Sequence, residues 1–576
     1  MTRADRMTAM SRGTSNAARL LIALIALATV VLLEAGAPPV STRGGMIVSA
    51  SRVASEVGAR VLKDGGNAID AAVATAFALA VTHPSAGNIG GGGFLVIRPA
   101  SGEAVVYDFR EVAPSGSSAT MFLKDGKYDP DLHHRSYLSV GVPGTVAGLH
   151  LAWQNHGRLP WARLVEPAVK LARDGFAISA GLAASLASVR DEMKAHPASA
   201  AQFSRKNGAP YEAGDILKQA DLGRTLERIG RQGPPGFYEG ETARLIEVEM
   251  KAHGGLITRE DLKSYRAKRR TPVRGTYRGY EVLSVPPSSS GGVALVEMLN
   301  MLEGYDLKTS GPASAQNVHL IVEAMRRAFA DRARHLGDPE RNPGMPIARL
   351  ISKEYAAELR KTVRAARAST SSPTNFTWPS ESNETTHLSI VDDQRNAVAL
   401  TYTLEDAYGS RIVVPGAGFL LNNEMGDFNG APGLTTAEGL VGTAPNFAEA
   451  GKRMLSSMTP TIVTKDGKIF MVTGSPGGRT IINTVLMTIL NVVDFGMNAQ
   501  EAVDAGRFHH QWLPDRITYE PSALSPDTVA LLRAKGHDLR QGGTQGVAEV
   551  IVYRPATDML EGGVDGRQAD GGAATQ

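Results

Sequence analysis

Cysteine is absent from the 576 residues of this chain. Its absence removes disulfides, thiolate nucleophiles and cysteine-based zinc sites in one step, so the fold must hold by packing. The 13 histidines, His509 and His510 included, show no zinc-ligand spacing, and no metal or other cofactor is expected. An excess of one charge is missing too. The formal net charge is +3 and Lys and Arg are spread along the chain, which leaves no footprint for a nucleic acid. No motif repeats at a fixed period, and the low-complexity sequence is confined to the Gly/Ala-rich tail, residues 571–576. The glycines at 90–93 lack the Lys-Ser/Thr continuation and the following helix of a phosphate loop, so close backbone approach at the start of a strand is their expected use.

What is present is ordinary in bulk. Hydrophobic residues make up 43% and charged residues 21%, enough for a sizeable core. The length allows several domains or one large α/β unit. Near the start, Arg3, Arg6, Arg12 and Arg19 precede an apolar run over residues 20–33, which Glu34 and the small residues Ala35, Gly36 and Ala37 follow. This pattern predicts a signal peptide over residues 1–37 and a periplasmic or secreted location. The run is shorter than the roughly 20 residues of a stable membrane span; an uncleaved anchor is the alternative.

Apolar spacing predicts helices over residues 51–62, 70–81, 146–154, 161–173, 182–194, 219–231, 242–252, 315–336 and 479–490. Thr258-Arg259-Glu260-Asp261 reads as a capped helix start. A strand is expected at 46–49 and a strand pair at 95–97 and 105–107. Two hairpins follow, 388–391 with 397–403 and 461–464 with 469–472, turning at 392–396 and at Asp466-Gly467. The part before residue 385 therefore reads as helix-rich and the part after it as sheet-rich, compatible with one α+β body.

Residues 365–384 are rich in Ser, Thr and Pro and carry no period; such a run inside a compact domain tends to be functional or mobile. It ends at Glu384, where Thr385-Thr386-His387 open an apolar strand. Attack of the Thr385 hydroxyl on the Glu384 carbonyl, with hydrolysis of the ester, would make Thr385 a new N-terminus. Its α-amino group, of pKa near 8, would then be a base for its own hydroxyl. On these residues alone the threonines read as β-branched residues of a pleated surface, Arg110 as an ordinary ion pair, and Gly477-Gly478 as a turn.

Further motifs stand on both sides. They are Gly65-Gly66-Asn67-Ala68-Ile69-Asp70-Ala71-Ala72, Ile89-Gly90-Gly91-Gly92-Gly93-Phe94, Asp108-Phe109-Arg110-Glu111 and Pro286-Pro287-Ser288-Ser289-Ser290-Gly291-Gly292. Downstream come Thr401-Tyr402-Thr403, Asn422-Asn423-Glu424-Met425-Gly426-Asp427-Phe428, Arg453-Met454-Leu455-Ser456-Ser457-Met458-Thr459-Pro460 and Gly474-Ser475-Pro476-Gly477-Gly478. In that order and spacing the chain, from about residue 45 to its C-terminal region, resembles the γ-glutamyltransferases (glutathione hydrolases), self-processing N-terminal nucleophile hydrolases.

The resemblance implies a four-layer αββα sandwich built from a large subunit, residues 38–384, and a small subunit, residues 385–576, of one precursor cut between Glu384 and Thr385. It implies Thr385 as nucleophile, Thr403 as its orienting partner, and the Gly477 and Gly478 amides as oxyanion hole. Arg110, Ser456 and Ser457 would hold the α-carboxylate of a glutamyl group, and Glu424 and Asp427 its ammonium. Glu405 stands where many members have asparagine, and would add a third acid to that site. Residues 429–452 resemble the family's lid loop but lack its tyrosine; Glu438 stands near that place. The implied partners are γ-glutamyl donors and amino acid or peptide acceptors. An amidase with another acyl group, such as a cephalosporin acylase or a poly-γ-glutamate processing enzyme, and an unprocessed binding protein are the competing readings.

Overall fold

The computed structural model describes residues 37–372, 385–434, 436 and 442–576. Residues 1–36 of the expected signal peptide, Glu384 and Glu438 lie outside the described residues. The architecture is mixed α/β, with two seven-stranded sheets. Before residue 385 their strands are β1 Val40–Thr42, β2 Met46–Ser49, β3 Gly92–Arg98, β4 Val105–Asp108, β5 Lys268–Arg270, β6 Val273–Tyr277 and β7 Tyr280–Ser284. After it come β8 Thr386–Val391, β9 Ala397–Thr403, β10 Thr461–Lys465, β11 Lys468–Gly474, β12 Glu549–Arg554, β13 Met559–Val564 and β14 Gly572–Thr575. The first sheet runs β1-β13-β12-β11-β10-β7-β6 and the second β14-β2-β8-β9-β3-β4-β5. Every neighbouring pair is antiparallel.

Each sheet therefore mixes strands from both sides of residue 385, as one α+β body built from both parts requires, while most helices precede that residue. The early strands are short and find partners far along the chain, and no local period reports such pairing. The tail at 571–576 is corrected: its small residues form β14, paired with β2. Smallness is what admits it there, since a Cβ on Gly572 would sit 2.7 Å from the Cβ of Arg52. The helix expected at 182–194 is broken into Ala180–Ser188 and Arg190–Met193. Leu182, Leu186, Val189 and Met193 all enter one small core, so the apolar stripe runs through the break and spacing could not reveal it.

Alternate residues of a strand enter different cores, as pleating dictates. Phe94 and Val96 of β3 meet Leu283, Ile462, Val472 and Leu560 of the other sheet. Leu95 and Ile97 turn the opposite way, toward helices α1 Arg52–Lys63 and α2 Ala68–Thr82. On the far face of the first sheet, Val282, Val463 and Met471 pack with α3 Gly291–Leu302, α4 Ala315–His335 and α5 Thr480–Val493. Asn67 caps α2 through a reciprocal box with Asp70, which starts that helix two residues earlier than its apolar spacing.

β8 and β9 are buried at every position, so their polar side chains must bond internally. His387 Nδ1 bonds Thr401 Oγ1 at 2.7 Å and Nε2 bonds Ser389 Oγ at 3.1 Å. Burial pushes this imidazole down to about 3, which keeps it neutral. The glycines at 90–93 give the close approach expected of them. A Cβ on Gly91 would lie 2.0 Å from the Thr403 carbonyl oxygen, and one on Gly93 2.3 Å from that of Thr401. Among the described residues no helix is long and apolar enough to cross a membrane.

Candidate active site

The β8–β9 register pairs Thr386 with Tyr402, so continuing it by one step sets Thr385 opposite Thr403. The Thr385 hydroxyl donates to Thr403 Oγ1 at 3.4 Å, and Thr403 Oγ1 accepts the Glu405 amide at 2.9 Å. Thr403 also faces Gly92 across β9–β3. Because β4 pairs with β3, the residues after Asp108 emerge at the same end of the sheet, and these include Arg110. The fourth contribution is the turn before α5. Gly477 has φ +130° and Gly478 φ +53°, conformations that favour glycine. Among the described residues neither amide donates a hydrogen bond, and both lie at a helix N-terminus, where negative charge is favoured.

These parts line one small cavity. Its walls include Thr385, Thr403, Arg110, Glu405, Glu424 and Asp427, together with Ser456, Ser457 and Gly478. Every site residue expected from sequence thus lines one cavity except Gly477, one residue behind the wall, and Glu384, which is outside the described residues.

The electrostatics are lopsided. Arg110 is wholly buried and pairs with Glu424 and Asp427, while Glu111 Oε2 stands 3.6 Å from its Nη1. The two clamps inferred for a carboxylate and an ammonium are therefore closed on each other. Such mutual pairing keeps buried charges compensated. Burial opposes the guanidinium's charge, but Glu424, Asp427 and Glu111 outweigh it and raise its pKa.

One cation cannot satisfy all the acids. Burial, then the charges of Asp406, Asp427 and Glu424, hold the Glu405 carboxyl well above the usual range. Burial likewise pushes Glu111 up to about 8, against the pull of Arg110. Neither carboxyl has a hydrogen-bond partner among the described residues; His134 Nδ1 lies 3.3 Å from Glu405 Oε1. Glu405 also has φ +80°, a strained conformation for a residue with a side chain.

Sequence reasoning gave no role to Glu111, although it stands in the motif that delivered Arg110. His134 carried no signal, because only the fold brings it to Glu405. The cluster His319, Glu323 and His537 was also invisible to spacing; its potential ligand atoms lie within 4.8 Å of one another. Those atoms are already engaged. His319 Nε2 bonds the Arg364 carbonyl at 2.9 Å and Nδ1 meets His537 Nε2 at 2.8 Å. Glu323 accepts from Arg327 at 2.7 Å and from the Ser369 amide at 3.0 Å. The cluster reads as structural.

Comparison with known proteins gives concordant results. The family model "Gamma-glutamyltranspeptidase" matches residues 54–575. The glutathione hydrolase proenzyme of Escherichia coli is 46% identical over 536 residues, covering 92% of each chain. Among solved structures, cephalosporin acylase from Bacillus halodurans superposes with a TM-score of 0.83 at 26% identity, over 94% of this chain and 97% of that one. Helicobacter pylori gamma-glutamyltranspeptidase matches with a TM-score of 0.54 at 46% identity, over 55% of this chain and 91% of the matched chain.

Proposed function

The chain belongs to the gamma-glutamyltranspeptidase family, and from that premise we propose how it works. It is a self-processing γ-glutamyltransferase/glutathione hydrolase. It cleaves the γ-glutamyl amide of glutathione and related compounds and passes the acyl group to water, amino acids or peptides. The observation that carries this reading is the cavity in which Thr385 faces Arg110, Glu424 and Asp427, a charge pattern complementary to a zwitterionic head group.

In the precursor, Thr385 attacks the Glu384 carbonyl and hydrolysis frees its α-amine. The mature nucleophile then attacks the γ-carbonyl of the donor while that amine takes the hydroxyl proton. Thr403 orients the hydroxyl, and the Gly477 and Gly478 amides receive the oxyanion. The leaving amine departs with a proton, and the threonyl ester is relieved by water or by an acceptor amine. Arg110, Ser456 and Ser457 hold the donor's α-carboxylate; Glu424, Asp427 and Glu405 hold its ammonium. Donor binding thus exchanges the two internal ion pairs of Arg110 for two external ones, which conserves the charge balance of the pocket.

The four-layer αββα sandwich is supported by three cores that alternate with the two sheets, and the two-fragment organisation, residues 38–384 and 385–576, by likeness to proenzymes. A periplasmic or secreted location through residues 1–37, as signal or anchor, rests on their composition. Likeness to the B. halodurans acylase favours a second reading, an amidase for another acyl group. N-terminal sequencing of the smaller fragment should begin at Thr385, and γ-glutamyl-p-nitroanilide should be hydrolysed in preference to a glutaryl amide. The reverse preference would favour the acylase.

A further inference from the structure

Glu405 lines the pocket, and His134, outside that lining, stands with its Nδ1 3.3 Å from Glu405 Oε1. The residues around the pair prepare this approach. A Cβ on Gly426 would sit 2.5 Å from both atoms, so the glycine there is what lets them converge. Asn423 Nδ2 donates to the His134 carbonyl and to Asp406 Oδ2, both at 3.1 Å. That side chain therefore ties the short helix Pro130–His134 to the residue after Glu405. The neighbouring ring is pinned as well: Tyr128 OH donates to His133 Nδ1 at 2.9 Å, and His133 Nε2 to the Met425 carbonyl at 3.1 Å. The Glu405 side chain is 4% exposed and that of His134 19%, so the imidazole is the member nearer to water.

We infer that His134 is a positioning residue that takes the Glu405 proton when a ligand's ammonium enters, so that this acid is charged only in the complex. This rests on the γ-glutamyl reading. Without a cation beside it, burial and then the charges of Asp406, Asp427 and Glu424 hold the Glu405 carboxyl protonated against the pull of Arg110. Burial, opposed by Asp406 and aided by Arg135, holds His134 below its usual range, and Tyr128, which also faces Glu405, stays a neutral phenol. A neutral imidazole with its proton on Nε2 offers Nδ1 as an acceptor. Transfer of one proton from Glu405 Oε1 to Nδ1 leaves a carboxylate for the ligand and an imidazolium beside it, with no change in net charge. The ligand's ammonium favours that ionised form. Without the imidazole the same ionisation expels a proton to water, and ammonium binding becomes coupled to pH.

The test uses the processed enzyme, with L-glutamate and glutarate as competitive inhibitors of γ-glutamyl-p-nitroanilide hydrolysis between about pH 6.5 and 7.5. Glutarate lacks only the ammonium, so the ratio of the two inhibition constants reads the ammonium site. In the wild type that ratio should move by less than about twofold, the spread of an uncoupled site. In His134→Gln the preference for glutamate should fall about tenfold from the upper pH to the lower, the slope of one proton lost per ligand bound. His134→Phe, which keeps a ring and has no acceptor nitrogen, should show the same slope and carries the test if His134→Gln does not fold. In Glu405→Gln the slope should be absent with or without His134. A loss in His134→Gln equal at both pH values, no loss, a wild-type ratio as steep as the variant's, or a slope that survives Glu405→Gln overturns the inference. Wild-type enzyme that leaves γ-glutamyl-p-nitroanilide intact would instead remove the reading beneath it.

Discussion

Two of the buried ionic clusters among the described residues are built on opposite plans. Beneath α4, Glu323 and Asp515 are matched by Arg326 and Arg327, and every acid is further bonded. Asp515 accepts the Ser371 amide at 2.7 Å, and Glu323 accepts the Ser369 amide at 3.0 Å. In the pocket, Glu111, Glu405, Glu424 and Asp427 surround Arg110 alone, and the Glu111 and Glu405 carboxyls have no hydrogen-bond partner among the described residues. Matched charge fastens the chain before the processing junction to the chain after it. Unmatched acid marks where a cation from outside completes the count.

The largest expected effect tests whether chemistry is confined to the unmatched cluster. Thr385→Ala should leave a single band on a denaturing gel and lower kcat by at least about 10⁴-fold, the usual cost of removing a nucleophile. Two fragments from that variant would break the assignment. Next, Arg110→Met leaves the pocket acids without their cation, and kcat/KM on γ-glutamyl-p-nitroanilide should fall about 10³-fold, as for truncating a buried charge pair. The matched cluster should answer differently. Glu323→Gln should cost about 3 kcal/mol of stability and lower Tm by a few degrees, with kcat/KM nearly unchanged in steady-state assays; a large kinetic defect there would erase the distinction.

A smaller effect sharpens it. Glu405→Gln should reduce the preference for γ-glutamyl over glutaryl amides about tenfold, since one of the groups facing the ammonium can no longer ionise when the cation arrives. The pH dependence of stability should carry opposite signs in the two regions. Burial pushes His537 and His510 down to about 4 from 6.5, so the unfolded chain takes up protons first and the matched cluster loses stability as pH falls from about 6.5 to about 4. Glu111, raised from 4.5 to about 8, is ionised first in the unfolded chain, so its contribution is lost as pH rises through that window. Melting curves of wild type and Glu111→Gln should lie closest near pH 5 and separate toward pH 9, with wild type losing stability and the variant not, if this sign is right.

Legibility followed the range of the interactions. The β8–β9 hairpin, its turn and the threonine at its head were readable because alternation and turn chemistry are local, and the Thr258 capping box with Asp261 formed as written. The positions of Ser456, Ser457, Glu424 and Asp427 were readable only as motifs. That Arg110 would grip the two acids was not, because the three residues meet across two sheet ends and a loop. His134 gave no signal at all: a histidine in a short helix looks like a surface residue until the fold buries it.

The sequence by itself determined the Thr385-Thr386 pair that ends the Ser/Thr/Pro-rich run, the order of the motifs and the identity of the charged groups, because these are properties of neighbouring residues and of their chemistry. Tertiary structure alone decided which acid would be matched and which left over. Burial and pairing depend on contacts between distant segments, and in a low-dielectric interior those contacts, not residue type, set whether a carboxylate holds the fold together or waits for a ligand.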